Sequence, residues 1–488
     1  MSMEMSLCYS VAKQKLSHFY LGSSCRSVAI SGLLLLLFYT FSFNYHSSQS
    51  LVASYLPFRL SCLSSGPNPD SGTDTPTNIS HLVFGIVGTV KTWSRRRPYV
   101  ESWWRPNVTR GYLFLDRAPS NKLRDWPPSS PPFRVNEDIS RWEVLRRVKN
   151  PVPIRIFRTI LEMFRLGDKD VRWYIMADDD TILFLDNLVE VLSKYDHTKY
   201  HYIGSSSEFI MSNFLLSFEM AFGGAGYALS YPVVEMLATE LDACIKRNPR
   251  LYSSDFMLHV CLSDHGVSLT EERGFHQIDF HGDISGFLSA HPQSPILSLH
   301  HIDAIDPIFP SMNRSEAINQ LMKPARVDQS RLLQQTICYH REKSWSISVS
   351  WGYSTHIYEN VLPRSFLQRP IETFRPWMTR VKPPFYMFNT RILEKNPCVV
   401  PHVFFLKSME NATRDEIVTT YTRASKSGLP SCALGGNHSA NLISRVQVFS
   451  PRKRHIEAGR IECCDVLADN QNTTKVRLRP CKSGEVIA

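Results

Sequence analysis

Three consecutive carboxylates, Asp178, Asp179 and Asp180, follow the run Trp173-Tyr174-Ile175-Met176-Ala177. An apolar run of this length without helical spacing reads as a buried strand. Its end delivers acidic groups to a sheet edge, where open α/β sheets keep their sites. Adjacent carboxylates repel one another and call for a positive partner. Oxygen ligands at such a point suit Mg²⁺ or Mn²⁺, which normally also hold substrate phosphates. An acidic turn with solvated charges is the plain alternative. Phe222-Gly223-Gly224-Ala225-Gly226-Tyr227 is the second informative stretch. Three glycines in four positions let a backbone approach a ligand closely, or simply turn. Asp255 stands at or beside the N-cap of an apolar helix, Phe256 to Leu262. A helix N-terminus stabilises its ionised form, so capping and acting as a base are compatible. His300 and His301 come late in the same region. In an extended strand adjacent side chains face opposite ways, so one of the two would point into a given site. A lone His is also a common structural residue.

These groups need positioning elements. Leu82 to Thr89 reads as the first buried strand, ending in small residues and then Lys91, Thr92, Trp93, Ser94, Arg95, Arg96 and Arg97. That junction suits either a diphosphate-binding point, with Thr89, Lys91 and Arg95 as its contacts, or a solvated basic loop. Gly111 to Asp116 is a second strand, followed by a Pro-rich loop from Pro119 to Pro132. Ile156, Phe157, Ile160, Leu161 and Phe164 repeat at helical spacing, and Gly167 ends that helix. After the acidic strand, Asn187 and Glu190 resemble a capping box on an amphipathic helix. His201 to Ser205 is the next strand, and Ser230 caps a helix carrying Val233, Val234, Leu237 and Leu241. Strands alternating with helices give an α/β fold. Beyond about Lys323 the pattern changes. Strands are expected at Phe385 to Asn389 and Val399 to Phe405. With Trp345, Trp351, Trp377 and a cysteine cluster, they indicate a β-rich, disulfide-braced extension.

The chain has 488 residues, 43% hydrophobic and 20% charged, with net charge +10 and no long basic block. That composition allows several domains and argues against a nucleic-acid arm. Residues Val28 to Phe43 are almost purely apolar, and Lys13, Lys15 and Arg26 precede them. The expected reading is an uncleaved anchor over 27–45, with 1–26 cytosolic; a cleaved signal peptide competes with it. Residues 46–80, rich in Ser, Pro, Gly and Thr, read as a stem. Six sequons (Asn78, Asn107, Asn313, Asn411, Asn437 and Asn472) fit a lumenal location for the region beyond the anchor. Of 11 cysteines, Cys398, Cys432, Cys463, Cys464 and Cys481 crowd the last part, which indicates disulfides of undetermined pairing. No Cys-x-x-Cys spacing points to zinc.

The ordered set resembles the Fringe-like, family-31 β-1,3-glycosyltransferases, and more closely the plant Fringe-related group of the DUF604 type. It comprises Asp178-Asp179-Asp180, Gly223-Gly224-Ala225-Gly226-Tyr227, an acidic residue before a helix, and a late His. The wording of the plant group appears as Val87-Gly88-Thr89, Phe275-His276-Gln277, Ser289-Ala290-His291-Pro292, His300-His301, Ser348 to Tyr353 and Asn389-Thr390-Arg391. The resemblance runs from about residue 81 to near the C-terminus. It implies a GT-A domain over 81–322, a Rossmann-like nucleotide-sugar-binding sheet, with the β-rich extension over 323–488. It implies Mn²⁺ (or Mg²⁺) on Asp178 and Asp180 with one of His300 and His301, of which His300 is preferred. Asp179 would help hold ribose and phosphate. The Gly223, Gly224, Ala225 and Gly226 loop would border donor sugar and acceptor, and Asp255 would be the base. The family usually carries two acidic residues where this chain has Ser254-Asp255.

The implied activity is inverting transfer of a hexosyl or N-acetylhexosaminyl group from a UDP-sugar to a glycan or glycoprotein hydroxyl, in β-1,3 linkage. The implied location is the Golgi membrane, as a single-pass type II protein, without nucleic acid as a partner. The alternative is a non-catalytic UDP-sugar or glycan-binding protein on the same fold. A phosphatase is a third class, but Asp178-Asp179-Asp180-Thr181 lacks the aspartyl-phosphate pattern.

Overall fold

The computed structural model describes residues 75–487 apart from 120–125, 149, 426–427, 429, 433–438, 453–461 and 468–471. The expected tail and anchor, and all but the last residues of the expected stem, lie outside the described residues. Among those described, no helix is long and apolar enough to cross a membrane.

The first sheet has seven strands: β1 (Leu82–Val87), β2 (Arg110–Leu115), β3 (Phe133–Val135), β4 (Trp173–Asp178), β6 (Tyr202–Gly204), β7 (Tyr227–Ser230) and β8 (Leu269–Glu271). Their order is β3-β2-β1-β4-β7-β6-β8. β1 lies parallel to β2 and β4, whereas β7 runs antiparallel to β4 and β6. All six residues of β1 are buried, so it carries no polar face. One face of the sheet, with Val83, Val87, Tyr174 and Met176, packs against three helices: α2 (Val152–Arg165), α5 (Tyr231–Arg247) and α6 (Ser254–Asp264). The opposite face, with Leu82, Phe84, Ile86 and Ile175, packs on α1 (Val90–Trp103) and α3 (Leu185–Leu192). Among the described residues the other α-helices are the short α4 (Ile210–Leu215) and α7 (Ser285–Ala290), then α8 (Arg314–Ala325) and α9 (Arg364–Leu367).

Several local expectations change. The cations after β1 lie on α1 rather than in a loop. Thr89 caps that helix, accepting from the Thr92 N–H at 3.2 Å, and Trp93, Tyr99, Val100 and Trp103 bury one side of it. Asn187 and Glu190 form no capping box, because α3 begins two residues before Asn187. Its amide instead donates to the Ile296 and Gln329 carbonyls at 2.7 and 3.0 Å. Ser230 stands at the N-cap of α5 without a capping hydrogen bond; its hydroxyl donates to the Lys199 carbonyl. Phe385 to Asn389 forms no strand, only a single bridge from Tyr386 to Phe209. The α2 helix does end before Gly167, whose φ of +69° requires the left-handed region.

Two short ladders tie distant segments to the first sheet. β5 (Ile182–Leu183) pairs with β10 (Ser298–Leu299), Leu299 opposite Ile182. That ladder delivers residue 300 beside the acidic turn. β9 (Phe280–Gly282) pairs with β14 (Phe374–Pro376) from the extension. The rest of the extension is an eight-stranded sheet, β11 (Gln335–His340), β12 (Trp345–Ser350), β13 (Ser354–Tyr358), β15 (His402–Asn411), β16 (Glu416–Arg423), β17 (Arg445–Pro451), β18 (Cys463–Val466) and β19 (Thr473–Arg479). Its two edge strands, β11 and β18, are joined by Cys338–Cys464. Cys398–Cys432 and Cys463–Cys481 brace the same region. A fourth bond, Cys244–Cys261, joins α5 to α6 and was not signalled by the clustered cysteines.

Phe280 is fully buried where the two parts meet, its ring 4.7 Å from Phe374, 5.3 Å from Tyr386 and 5.3 Å from Phe287. Removing such a side chain loses its transfer energy and leaves a void. Phe280→Ala is expected to destabilise the folded chain by about 3–5 kcal/mol. Urea unfolding followed by tryptophan fluorescence checks this, and a loss below about 1 kcal/mol contradicts the junction described.

Candidate active site

The strand β4 ends at Asp178, directly opposite Val87 of β1. The turn after it is held from within: the Asp178 N–H donates to Thr181 Oγ1 at 3.2 Å, and that hydroxyl donates to the Gly224 carbonyl at 2.6 Å. Trp103 of α1 donates its indole N–H to the Thr181 carbonyl at 3.0 Å. One buried threonine thus joins the acidic turn to the glycine loop. Gly88 leaves room for the middle carboxylate, since a Cβ there would stand 2.8 Å from Asp179 Oδ2.

The three carboxylates have different surroundings. Asp179 is buried, accepting from Arg96 Nη1 at 2.6 Å and from Thr92 Oγ1 at 3.0 Å. Asp180 is also buried; one oxygen meets Arg96 Nη2 at 2.9 Å, and the other, Oδ1, has only the His300 ring nitrogen near it among the described residues. Arg96 reaches a third acid, Asp303, through Nε at 2.7 Å, and Arg95 and Tyr99 bind that same carboxylate at 2.7 and 2.9 Å. Asp178 is 38% exposed and accepts no hydrogen bond among the described residues. Although part of its side chain is open, the protein crowded around it and the charges of Asp180, Asp255 and Asp179 push its pKa well above the usual carboxylate range. Burial also pulls on Asp180, but His300 and Arg96 outweigh it and hold that group below the usual range. Arg155 of α2 lies within the field of Asp116, Asp178 and Asp179.

His300 is 3% exposed, and its Nε2 lies 3.3 Å from Asp180 Oδ1 and 3.7 Å from Asp178 Oδ2. Asp178, Asp180 and His300 offer three donor atoms within 4.8 Å of one another. Asp180 Oδ1, which no other side chain meets among the described residues, and the imidazole nitrogen beside it fit a divalent cation of Mn²⁺ type, for which carboxylate and imidazole donors are suitable. Gly224 makes this approach possible: a Cβ there would lie 2.0 Å from the His300 ring. Gly223 does the same for Asp255, with a Cβ placed 2.4 Å from its Oδ1. Asp255 occupies the first turn of α6, takes a hydrogen bond from the Gly223 N–H, and accepts from Ser254 Oγ at 3.1 Å. Burial raises its pKa above the usual value despite those bonds.

The structure therefore gathers Asp178, Asp179, Asp180, Asp255, His300, Gly223 and Gly224. Ala225 donates its N–H to Gln277 at 2.8 Å, and Gly226 turns the chain with φ +87°. Thr89 serves as the α1 cap, Lys91 is exposed, and Arg95 binds Asp303 rather than a carboxylate of the triplet. His301 is not among the three clustered donors. Its φ of +55° breaks the extended path, its Nδ1 lies 3.1 Å from Asp279, and its ring stacks on Trp377 at 4.4 Å. Sequence reasoning missed Arg96, Thr92, Asp303 and Trp377. The signal for Arg96 was its place one turn after Trp93 on the partly buried side of α1.

Residues 212–464, more than half of the chain, match the family described as a protein of unknown function, DUF604. The chain belongs to the DUF604 family. That match includes the glycine loop, Asp255 and His300 and begins beyond Asp178 to Asp180. A human β-1,3-glucosyltransferase is 29% identical over 153 residues, 30% of this chain and 28% of that protein. This DUF604 protein is thus its distant relative and spans under a third of its length. Two solved structures overlap with TM-score 0.27. One is the mannosyltransferase PcManGT from Pyrobaculum calidifontis in complex with GDP-Man and Mn²⁺, at 9% identity over 51% of this chain and 67% of that one. The other is a glycosyltransferase involved in glycosylation of the major capsid of PBCV-1, at 11% identity over 50% of this chain and 98% of that one. Overlap at that level assigns nothing to this chain.

Gly224→Ala must displace the His300 ring. It is expected to weaken Mn²⁺ binding by about 10–100-fold, as misplacing a ligand's support does. Electron paramagnetic resonance titration of free Mn²⁺ reads this directly; unchanged affinity with a folded variant contradicts the three-donor cluster.

Proposed function

We propose that the chain is a metal-dependent inverting glycosyltransferase of GT-A type. It moves a hexosyl or N-acetylhexosaminyl group from a UDP-sugar to a glycan hydroxyl, in β-1,3 linkage. The observation that carries this reading is the pairing of two groups across one glycine loop. Asp178, Asp180 and His300 cluster against Gly224, and Asp255 touches Gly223. The distant β-1,3-glucosyltransferase relative supports the same class.

Asp178, Asp180 and His300 would hold Mn²⁺ or Mg²⁺. Bound there, the ion neutralises charge developing on the departing diphosphate. Arg96 holds Asp179 and Asp180 in place, and Arg155 adds positive field near Asp178 and Asp179. Asp255 takes the proton from the attacking hydroxyl, and the raised pKa makes it a better acceptor than a free carboxylate. Ser254, where the resembled family usually has an acid, donates to Asp255 and so orients it. No covalent enzyme nucleophile is needed. The four disulfides support an oxidising compartment. With the apolar run and the sequons they support a Golgi type II membrane protein whose catalytic region is lumenal.

Turnover of a UDP-sugar panel by the full chain, with and without EDTA, tests this. Asp255→Asn is expected to lower kcat by about 10²–10⁴-fold while UDP binding persists. Asp180→Ala should abolish EDTA-sensitive turnover. UDP binding without transfer across the panel overturns the enzymatic reading in favour of a binding protein.

The pH profile gives a second check. Asp255 must be ionised to accept a proton, and its pKa is raised, so activity should fall as pH drops through that raised value. The acid limb of kcat is expected above the ordinary aspartate range and should vanish from residual Asp255→Asn activity. A flat profile down to that range contradicts the base assignment.

A further inference from the structure

A cavity of about 790 Å³ opens between the end of β6 and the extension. Its walls include Ser206, Glu208, His276, His291, Gln293 and Asn389. None of these has a part in the cation cluster or in proton removal. We propose that this cavity binds a neutral oligosaccharide, the acceptor side of the transfer. The proposal rests on the reading of Asp178, Asp180 and Asp255 for its role in transfer, but not for the binding itself.

The first reason is an unpaired buried nitrogen. His276 is 2% exposed, and its Nδ1 lies 2.8 Å from Glu208 Oε1. The Ile278 N–H holds the other Glu208 oxygen at 2.9 Å, so the carboxylate is fixed and acts as an acceptor. The imidazole must then present its N–H at Nδ1, leaving Nε2 without a hydrogen-bond partner among the described residues, in a buried position. Buried polar atoms are rarely left so, and each asks for an explanation. Nε2 itself is closed to water, so a hydroxyl in the cavity reaches it after a shift of the neighbouring His291 ring, and can then donate or accept.

The second reason is charge. The cavity is lined by two carboxylates, Glu208 and Glu271, and two guanidinium groups, Arg273 and Arg369. They balance, so the lining selects no net charge. Serine hydroxyls and the amides of Gln293, Gln368 and Asn389 supply donors and acceptors of both kinds. Ring surface is present as well: His291 packs on Phe388 at 4.1 Å and on Phe287 at 4.5 Å. Mixed hydroxyl and amide groups beside ring faces suit a polyol, and the volume falls in the range of small-ligand sites, about 300–1,000 Å³.

The third reason is position. The Ser205 carbonyl accepts from the Phe222 N–H at 3.1 Å, one residue before the glycine that touches Asp255. The His276 carbonyl accepts from the His300 N–H at 3.1 Å. The cavity wall and the glycine loop that touches the base are therefore bonded neighbours. A chain of sugars in the cavity would lie beside the loop against which Asp255 packs.

Saturation-transfer NMR on the full chain tests binding without any donor. The probes are neutral di-, tri- and tetrasaccharides of glucose, galactose and mannose, with galacturonic acid oligomers as the charged control. At least one neutral probe is expected to bind. His276→Gln, and separately Gln293→Ala with Asn389→Ala at the rim, are expected to weaken it about tenfold or more. Mn²⁺-dependent UDP binding and donor hydrolysis should stay unchanged in these variants. The rim variant keeps the test usable where His276→Gln fails to fold. Absence of binding by every neutral probe, equal binding by the variants, or preference for the charged control overturns the proposal. Loss of donor hydrolysis in wild type, with oligosaccharide binding intact, falls instead on the enzymatic reading.

Discussion

Two carboxylates, Asp179 and Asp180, are buried in adjacent positions, and Arg96 is the cation that bridges them. Its guanidinium spans both of them and Asp303. Like charges held side by side in a protein repel by roughly a few kcal/mol. That is a large share of the stability of an ordinary domain, roughly 5–15 kcal/mol. The acidic turn is thus conditional on α1 docking in one rotational setting. Trp93, Tyr99 and Trp103 impose that setting by burying the helix side next to Arg96. The apolar packing of one helix decides where the charges of another segment can settle.

The same dependence recurs at the imidazole. His300 is more than a hundred residues from Asp180, yet the two-residue ladder of β5 on β10 leaves it no other place. The glycine loop then sets the clearances. Gly223 and Gly224 have no side chain where Asp255 and His300 approach, and Thr181 bonds the loop to the acidic turn. A few short contacts define the site, and long regular elements define the contacts.

The alternation of strands and helices, the buried strand before Asp178, and the grouping of glycines with Asp255 and His300 were legible in the sequence. The first two depend on local periodicity, whereas the grouping came from the resemblance to a known family. The helix carrying Arg95 and Arg96 was not, because its apolar residues at 93, 99, 100 and 103 are interrupted by charge and by Pro98. Asn187 misled for a related reason: its amide serves long-range carbonyls, which no local pattern reveals. The separation of His300 from His301 was legible only in outcome. One of them was expected to face the site on the ground of strand alternation, but a left-handed residue at His301 does the separating. Arg96, Asp303 and Trp377 lie too far apart in sequence for their contacts to be inferred. The cysteines of the last part suggested crosslinks there. Cys244 and Cys261 needed the α5–α6 geometry to be paired.

The β14 strand and the rings around Phe280 place part of the extension inside the neighbouring α/β half. Trp377, from the same strap, rests against His301 and His281. A gene fragment ending before β11 would therefore encode an α/β half with an open apolar wound and a loosened histidine turn. Such a fragment is poor raw material for recombination. Over evolutionary time the two halves should be inherited as a pair, and lineages that shed one should not keep the other in its present form.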